Sequence, residues 1–213
     1  MNGESGGVAA NAGVIIRTVE DAHGAFTGEQ FKLALREPNI RNALRSRLVL
    51  VESTSNSGFG AVWPIEPLKG IANVARSACV VMHMDGARLA NASLIGSLAN
   101  DYPAYVESFW LDPTNGLGAS VDASDAGSKE FTKDPWRQKQ MLRGSIRQSD
   151  VIAAAFWSLD HNWNRMREIH DNARRVAEDI ANVKEIEMPS VETNLVLFEV
   201  RKTGWTTAML IEA

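Results

Sequence analysis

The residues best placed to do chemistry are His83-Met84-Asp85-Gly86-Ala87-Arg88, at the end of the apolar run Val80 to Met84. In an open parallel sheet, ligands bind beyond the carboxyl ends of the strands, so polar residues that follow such a run are inspected first. This segment offers a carboxylate, a glycine that permits close approach and an arginine one turn further on. A carboxylate at Asp85 suits two roles, holding a protonated ring nitrogen or capping the next helix, and spacing leaves both open. His83-x-Asp85 makes a poor metal pair because no third ligand stands near it, so no metal is expected. Cys79, the single cysteine, lies in Ala78-Cys79-Val80-Val81-Met82 and cannot close an internal disulfide, which is compatible with a reducing compartment. It is expected to be a small buried hydrophobe without a chemical role.

Elements that alternate between strand and helix must position these groups. Short apolar runs separated by segments of helical period predict an α/β chain, with a parallel sheet covered by helices. Thr27-Gly28-Glu29-Gln30 has capping-box spacing and opens the first predicted helix, with Phe31, Leu33, Ala34 and Leu35 behind it. Strands are expected over Arg47 to Val51, Val80 to Met84 and Tyr105 to Leu111. Between the first two, Pro64 suits the first turn of a helix carrying Leu68, Ile71, Val74 and Ala75. Ala87 to Leu98 has helical period again. Past Gly127 come a mixed-charge segment to Gln140, a turn at Gly144 and one long helix from Gln148 to about Ala181, whose charged residues read as a solvated face. Leu195 to Val200 reads as a further strand, and Thr206 to Ala213 as the start of a helix.

Composition excludes several functions. The chain of 213 residues is 45% hydrophobic, enough to build a core and exclude disorder, while its formal charge of −4 argues against a nucleic-acid partner. Apolar runs such as Val151 to Trp157 fall far short of the roughly 20 residues that span a bilayer, so no membrane association is expected. Met1 to Gly7 is polar and glycine-rich and lacks the basic and apolar regions of a signal peptide, so a cytoplasmic location is expected.

His83-Met84-Asp85-Gly86-Ala87-Arg88-Leu89-x-Asn91-Ala92 resembles the H-x-D-G-A-R-L-x-N-A signature of the threonine aldolases, in the aromatic amino acid beta-eliminating lyase group. Further segments match in order: Pro38-Asn39-Ile40, Glu52 to Asn56, Val62-Trp63-Pro64, Ser108 to Leu111, Gly116 to Ala119, Gly127 to Phe131, Arg147-Gln148 and Val191 to Asn194. The resemblance implies a fold-type I pyridoxal-phosphate enzyme: a partial large domain with a mostly parallel sheet over 1–147, a connecting helix over 148–182, and the start of a small C-terminal α/β domain over 183–213. It implies pyridoxal 5′-phosphate as cofactor and cleavage of a β-hydroxy-α-amino acid such as threonine into glycine and an aldehyde. The cofactor serves as an electron sink whose strength depends on a protonated ring nitrogen. By resemblance Asp85 holds that nitrogen, Arg88 contacts the ring oxygen, and Arg147 reaches the phosphate of a neighbouring subunit's cofactor. Lys139 is a candidate to assist Arg147, although a plain surface lysine is the simpler reading. A homo-oligomer, or association with a full-length relative, is implied.

The chain departs from that pattern where the covalent chemistry belongs. Thr114-Asn115-Gly116-Leu117-Gly118-Ala119-Ser120 has asparagine where the family has its cofactor-bearing lysine, and an amide nitrogen is not a nucleophile toward an aldehyde. Lys129, Lys133 and Lys139 match other family positions. Pro113 and Ser120 are also unusual, Arg143 stands where the family places glycine, and Asp122 to Asp125 puts carboxylates into a segment the family keeps apolar. By alignment of motifs Met1 to Gly7 falls in the middle of a family large domain, so no counterpart is expected for the phosphate-binding glycine-threonine pair or the ring-stacking histidine, and at the other end the sequence stops inside the small domain, so none is expected for the substrate-carboxylate arginine. The expected function is therefore a threonine-aldolase-like lyase impaired at Asn115, with a non-catalytic subunit of a full-length relative as the alternative. Exposed sheet edges are expected to favour aggregation or a partner.

Overall fold

The computed structural model describes residues 6–21, 23–37, 39–94, 101–120, 124–144 and 154–212. Two helices, α1 (Gly7–Ala12) and α2 (Gly28–Ala34), precede a sheet of β1 (Leu48–Glu52), β2 (Val81–Gly86), β3 (Ser108–Leu111) and β4 (Ser124–Gly127). The strands lie in the order β1-β2-β3-β4; the first three are parallel and β4 is antiparallel to β3. The mostly parallel open sheet expected from the sequence is present.

Alternation along the strands divides the sheet into two faces. Val49, Val51, Met82 and Met84 form the core face, covered by Leu68, Ile71, Ala72 and Ala75 of α3 (Ile65–Ser77). Each such side chain withdrawn from water contributes about 1.5–3 kcal/mol, so this face holds the sheet together. Thr27 caps α2 as its spacing requires: the Gln30 amide donates to its hydroxyl at 3.2 Å and its own amide donates to Gln30 Oε1 at 2.8 Å. Glycines then let α2 lie directly on α3, since a Cβ at Gly28 would stand 2.7 Å from the Gly70 carbonyl carbon.

Several expected elements are shorter or divided. The expected Tyr105–Leu111 strand begins only at Ser108, because Tyr102–Tyr105 forms a 3-10 turn whose buried Tyr102 hydroxyl donates to the Trp63 carbonyl. Helix α4 spans only Leu89–Ala92, and residues 95–98 of the expected Ala87–Leu98 helix lie outside the described residues. Beyond α5 (Lys133–Met141), the expected single long helix is two helices, α6 (Ala154–Asn162) and α7 (Met166–Ala181), separated by a 3-10 turn over Trp163–Arg165. The break lets the Asn162 side chain donate to the Leu117 carbonyl at 2.6 Å while Met166 packs, fully buried, beneath Gly116. Leu195–Val200 forms no strand. Its backbone pairs through one bridge, Glu187 to Glu199, and Leu197 and Phe198 stay more than a third exposed. The last helix, α8 (Thr207–Glu212), matches expectation.

Cys79 is exposed rather than buried. It occupies the turn after α3 with φ 53°, where its amide donates to the Arg76 carbonyl and that of Val80 to the Ala75 carbonyl. This is the left-handed helix stop that glycine usually fills, so the apolar run begins one residue later than the sequence suggests. Arg143 ends α5 in the same way, with φ 58° and amides 143 and 144 donating to the Gln140 and Lys139 carbonyls. The strain expected of an arginine at a glycine position is therefore real.

Candidate functional site

The second face of the sheet carries the polar residues in rows set by strand register. Leu50, His83, Ser108 and Gly127 form one row, and Glu52, Asp85, Trp110 and Asp125 form the row nearest the carboxyl ends of β1 and β2. Asp85 and Glu52 are thus neighbours, both half-buried. Burial pushes the Glu52 carboxyl above the ordinary range; the Asn56 amide bond opposes this, and the charge of Asp85 adds to it. His83 is pushed the other way by burial, with Asp125 and Asp85 pulling back, and its Nδ1 lies 2.7 Å from the Ser108 hydroxyl.

The turn after β2 explains why this glycine and arginine follow this aspartate. A Cβ on Gly86 would sit 2.3 Å from the Trp110 carbonyl oxygen, so only glycine lets β3 lie so close. One oxygen of Asp85 accepts the Ala87 amide at 3.1 Å, securing the turn rather than capping α4, whose first residue is Leu89. The Arg88 amide donates to the Ser53 carbonyl, and its Nη1 donates to Asn56 Oδ1 at 2.7 Å, tying the segment after β1 to the end of β2. Trp63 supports that segment from the core, with its Nε1–H donating to the Glu52 carbonyl at 2.8 Å.

Three buried polar atoms near this junction have no partner among the described residues: Arg88 Nε, Ser53 Oγ and Thr54 Oγ1. A buried donor left unsatisfied costs about 1–3 kcal/mol, so such a group marks where a ligand's acceptor completes the set. A carboxylate, a guanidinium and unpaired hydroxyls fit a heteroaromatic ring that carries a basic nitrogen and an oxygen substituent. These groups are the ones that would face such a ring if it bound here.

Position 115 carries an amide rather than an amine. Asn115 lies in the segment after β3, which folds onto α4 and α7: Asn91 donates to the Asn115 carbonyl at 3.4 Å, and Asn91 Oδ1 lies 3.1 Å from His170 Nε2. Gly116 has φ 101° and a Cβ there would meet Met166 at 2.9 Å, so the glycine is required twice over. The Asn115 amide nitrogen donates to Asp112 Oδ2 at 2.6 Å, while the Thr114 amide and hydroxyl both donate to Asp112 Oδ1 at 2.6 Å. Asp112 is buried. It was not singled out from the sequence, nor were Glu52 as the neighbour of Asp85, Asn56 as the partner of Arg88, or His170. Only Glu52 and Asn56 lay in a segment noted there, because these roles depend on strand register and on helix α7.

Of the expected site residues, the structure gathers Asp85 and Arg88 at one sheet edge, with Asn115 on the segment that follows the neighbouring strand. Lys139 stands exposed on α5 with its ammonium 5.7 Å from the Trp136 ring centroid, as a surface lysine does. Arg147 lies outside the described residues, as does Asp122. Among the described residues no group of His, Cys, Asp and Glu could hold a metal, and no helix is long and apolar enough to cross a membrane.

Known proteins resemble this chain in sequence and in fold. The chain is 29% identical over 211 residues to the low-specificity L-threonine aldolase 1 of Arabidopsis thaliana, covering 96% of this chain and 59% of that protein. It is 32% identical over 180 residues to the low specificity L-threonine aldolase of Escherichia coli O157:H7, covering 83% and 53%. The threonine aldolase structure of Leishmania major superposes with a TM-score of 0.72 at 18% identity, over 92% of this chain and 58% of that one. The chain thus spans between half and three-fifths of the length of these relatives. The family model described as beta-eliminating lyase matches residues 1–203, and its members are pyridoxal-phosphate-dependent enzymes. With almost the whole chain matched, and the fold shared with a threonine aldolase, this protein belongs to the beta-eliminating lyase family.

Proposed function

We propose that this chain is a threonine-aldolase-like carbon–carbon lyase whose covalent hold on pyridoxal phosphate is lost at Asn115. The observation that supports this reading is a contrast: Asp85 and Arg88 lie at and just beyond the carboxyl end of β2, whereas position 115 presents an amide engaged by Asp112. When bound, the cofactor would supply an electron sink for cleavage of a β-hydroxy-α-amino acid. Asp85 would keep a proton on the ring nitrogen by its charge, and Arg88 would bond the ring oxygen through its unpaired Nε–H. Asn115 offers no amine to receive the aldehyde, so turnover should be weak. The division at 1–147, 148–182 and 183–213 belongs to the same reading, with Arg147 contacting a neighbouring subunit's cofactor.

A second reading is a non-catalytic subunit that pairs with a full-length relative. It is supported by Leu48 and Val81, which lie side by side on the open face and are 57% and 48% exposed. Mixing the native chain and an Asn115→Lys variant with pyridoxal phosphate, reducing with borohydride and locating the added mass tests the first reading. The expected result is no adduct on the native chain and one at position 115 in the variant. An adduct on a native lysine, or none on either protein, would overturn it.

A further inference from the structure

Asn115 does more than remove an amine, because its amide is held in a single orientation. Its nitrogen must face Asp112 Oδ2, since a carboxylate oxygen 2.6 Å away accepts hydrogen bonds and another acceptor there would be repelled. The polar atom left over at position 115 is therefore Oδ1, an acceptor, and it has no partner among the described residues. Beside the Asn115 nitrogen lies the buried Asp112 carboxylate, whose partners among the described residues are Thr114 N, Thr114 Oγ1 and Asn115 Nδ2. Gly116 packed on Met166, and the Asn91 bond to the Asn115 carbonyl, hold the segment in place. Position 115, which by resemblance is the family's lysine position, thus carries an acceptor beside a buried carboxylate.

We propose that this site selects the amine form of the cofactor, pyridoxamine 5′-phosphate, over the aldehyde form. This rests on the reading that Asp85 and Arg88 hold the ring. An aldehyde oxygen is an acceptor and meets Asn115 Oδ1 without a proton between them. The ammonium of the amine form donates to Oδ1 and is attracted by Asp112. No covalent bond is needed, so the missing lysine is no obstacle to binding. A charge-assisted hydrogen bond in a partly shielded site corresponds to about tenfold in affinity.

The test is equilibrium dialysis of the purified chain against pyridoxamine, pyridoxine and pyridoxal 5′-phosphates, which share ring and phosphate and differ only in the amine, alcohol or aldehyde carbon. The expected order is the amine form tightest, by about tenfold over the alcohol. Asp112→Asn should bring amine and alcohol close to parity by weakening the amine form about tenfold. Asn115→Leu, at a half-buried position, should do the same if the Asp112 variant does not fold. Equal binding of all three by the native chain would overturn the amine preference and leave the ring site standing. A preference that survives both variants would also overturn it. Absence of binding by any of the three would remove the ring site itself, and the proposal with it.

Discussion

Replacing Asn115 with lysine should rescue covalent capture only partly, because Asp112 remains beside the new amine. The Asn115 amide nitrogen sits 2.6 Å from Asp112 Oδ2, so a lysine there can turn its ammonium to about 4 Å from the same carboxylate. At an effective dielectric of about 20 that attraction is about 4 kcal/mol. Position 115 is half-buried, and solvent screening leaves about 1–2 kcal/mol of it. Stabilising the ammonium by that amount lowers the fraction of free amine about five- to thirtyfold, and only the free amine attacks an aldehyde. Asn115→Lys combined with Asp112→Asn should therefore be labelled by pyridoxal phosphate about five to thirty times faster than Asn115→Lys alone. The assay is the time course of borohydride-fixed mass at position 115, at one mildly alkaline pH, with melting curves to show that both proteins are folded. Equal labelling rates would refute the role given to Asp112.

Other consequences concern stability and pH. Arg143→Gly and Cys79→Gly each relieve a left-handed residue at a helix stop and should each stabilise the chain by about 1 kcal/mol, raising Tm by about 2–4 °C in calorimetry. Gly86→Ala forces a Cβ against the Trp110 carbonyl and should cost about 1–3 kcal/mol while weakening pyridoxine phosphate binding, measured by denaturant titration and dialysis. Glu52 has a raised carboxyl pKa in the folded chain, so the native state holds its proton more tightly than the unfolded state does. Its contribution to stability is present below pH 4.5 and is lost as pH rises through the folded value. Glu52→Gln should accordingly stabilise the protein at neutral pH and have little effect below the unfolded value; melting curves across that range check the sign. Identical profiles for the two proteins would show that burying the Glu52 carboxylate carries no penalty.

The sequence by itself determined the α/β class, the capped start of α2 and the polar end of β2, because each depends on neighbours a few residues apart. Thr27 and Gln30 are close enough in the chain to satisfy one another, and an apolar run followed by Asp85-Gly86 announces a strand end locally. Comparison with the family pattern, rather than locality, drew attention to Asn115 and Arg143, and Arg143 does adopt a left-handed φ of 58°. Locality also misled: Cys79 belongs to a run of apolar residues by composition, yet by backbone geometry it is a helix stop. Only the tertiary structure decided which groups share the site. Glu52 meets Asp85 through the register of two strands 33 residues apart in their pairing, from 52 to 85. Arg88 finds Asn56 across 32 residues, and Asn91 joins His170 of α7 to the Asn115 carbonyl. Hydrogen bonds and charges act over a few ångströms, so which of them form depends on how strands and helices pack, and that is set by the whole chain rather than by any motif in it.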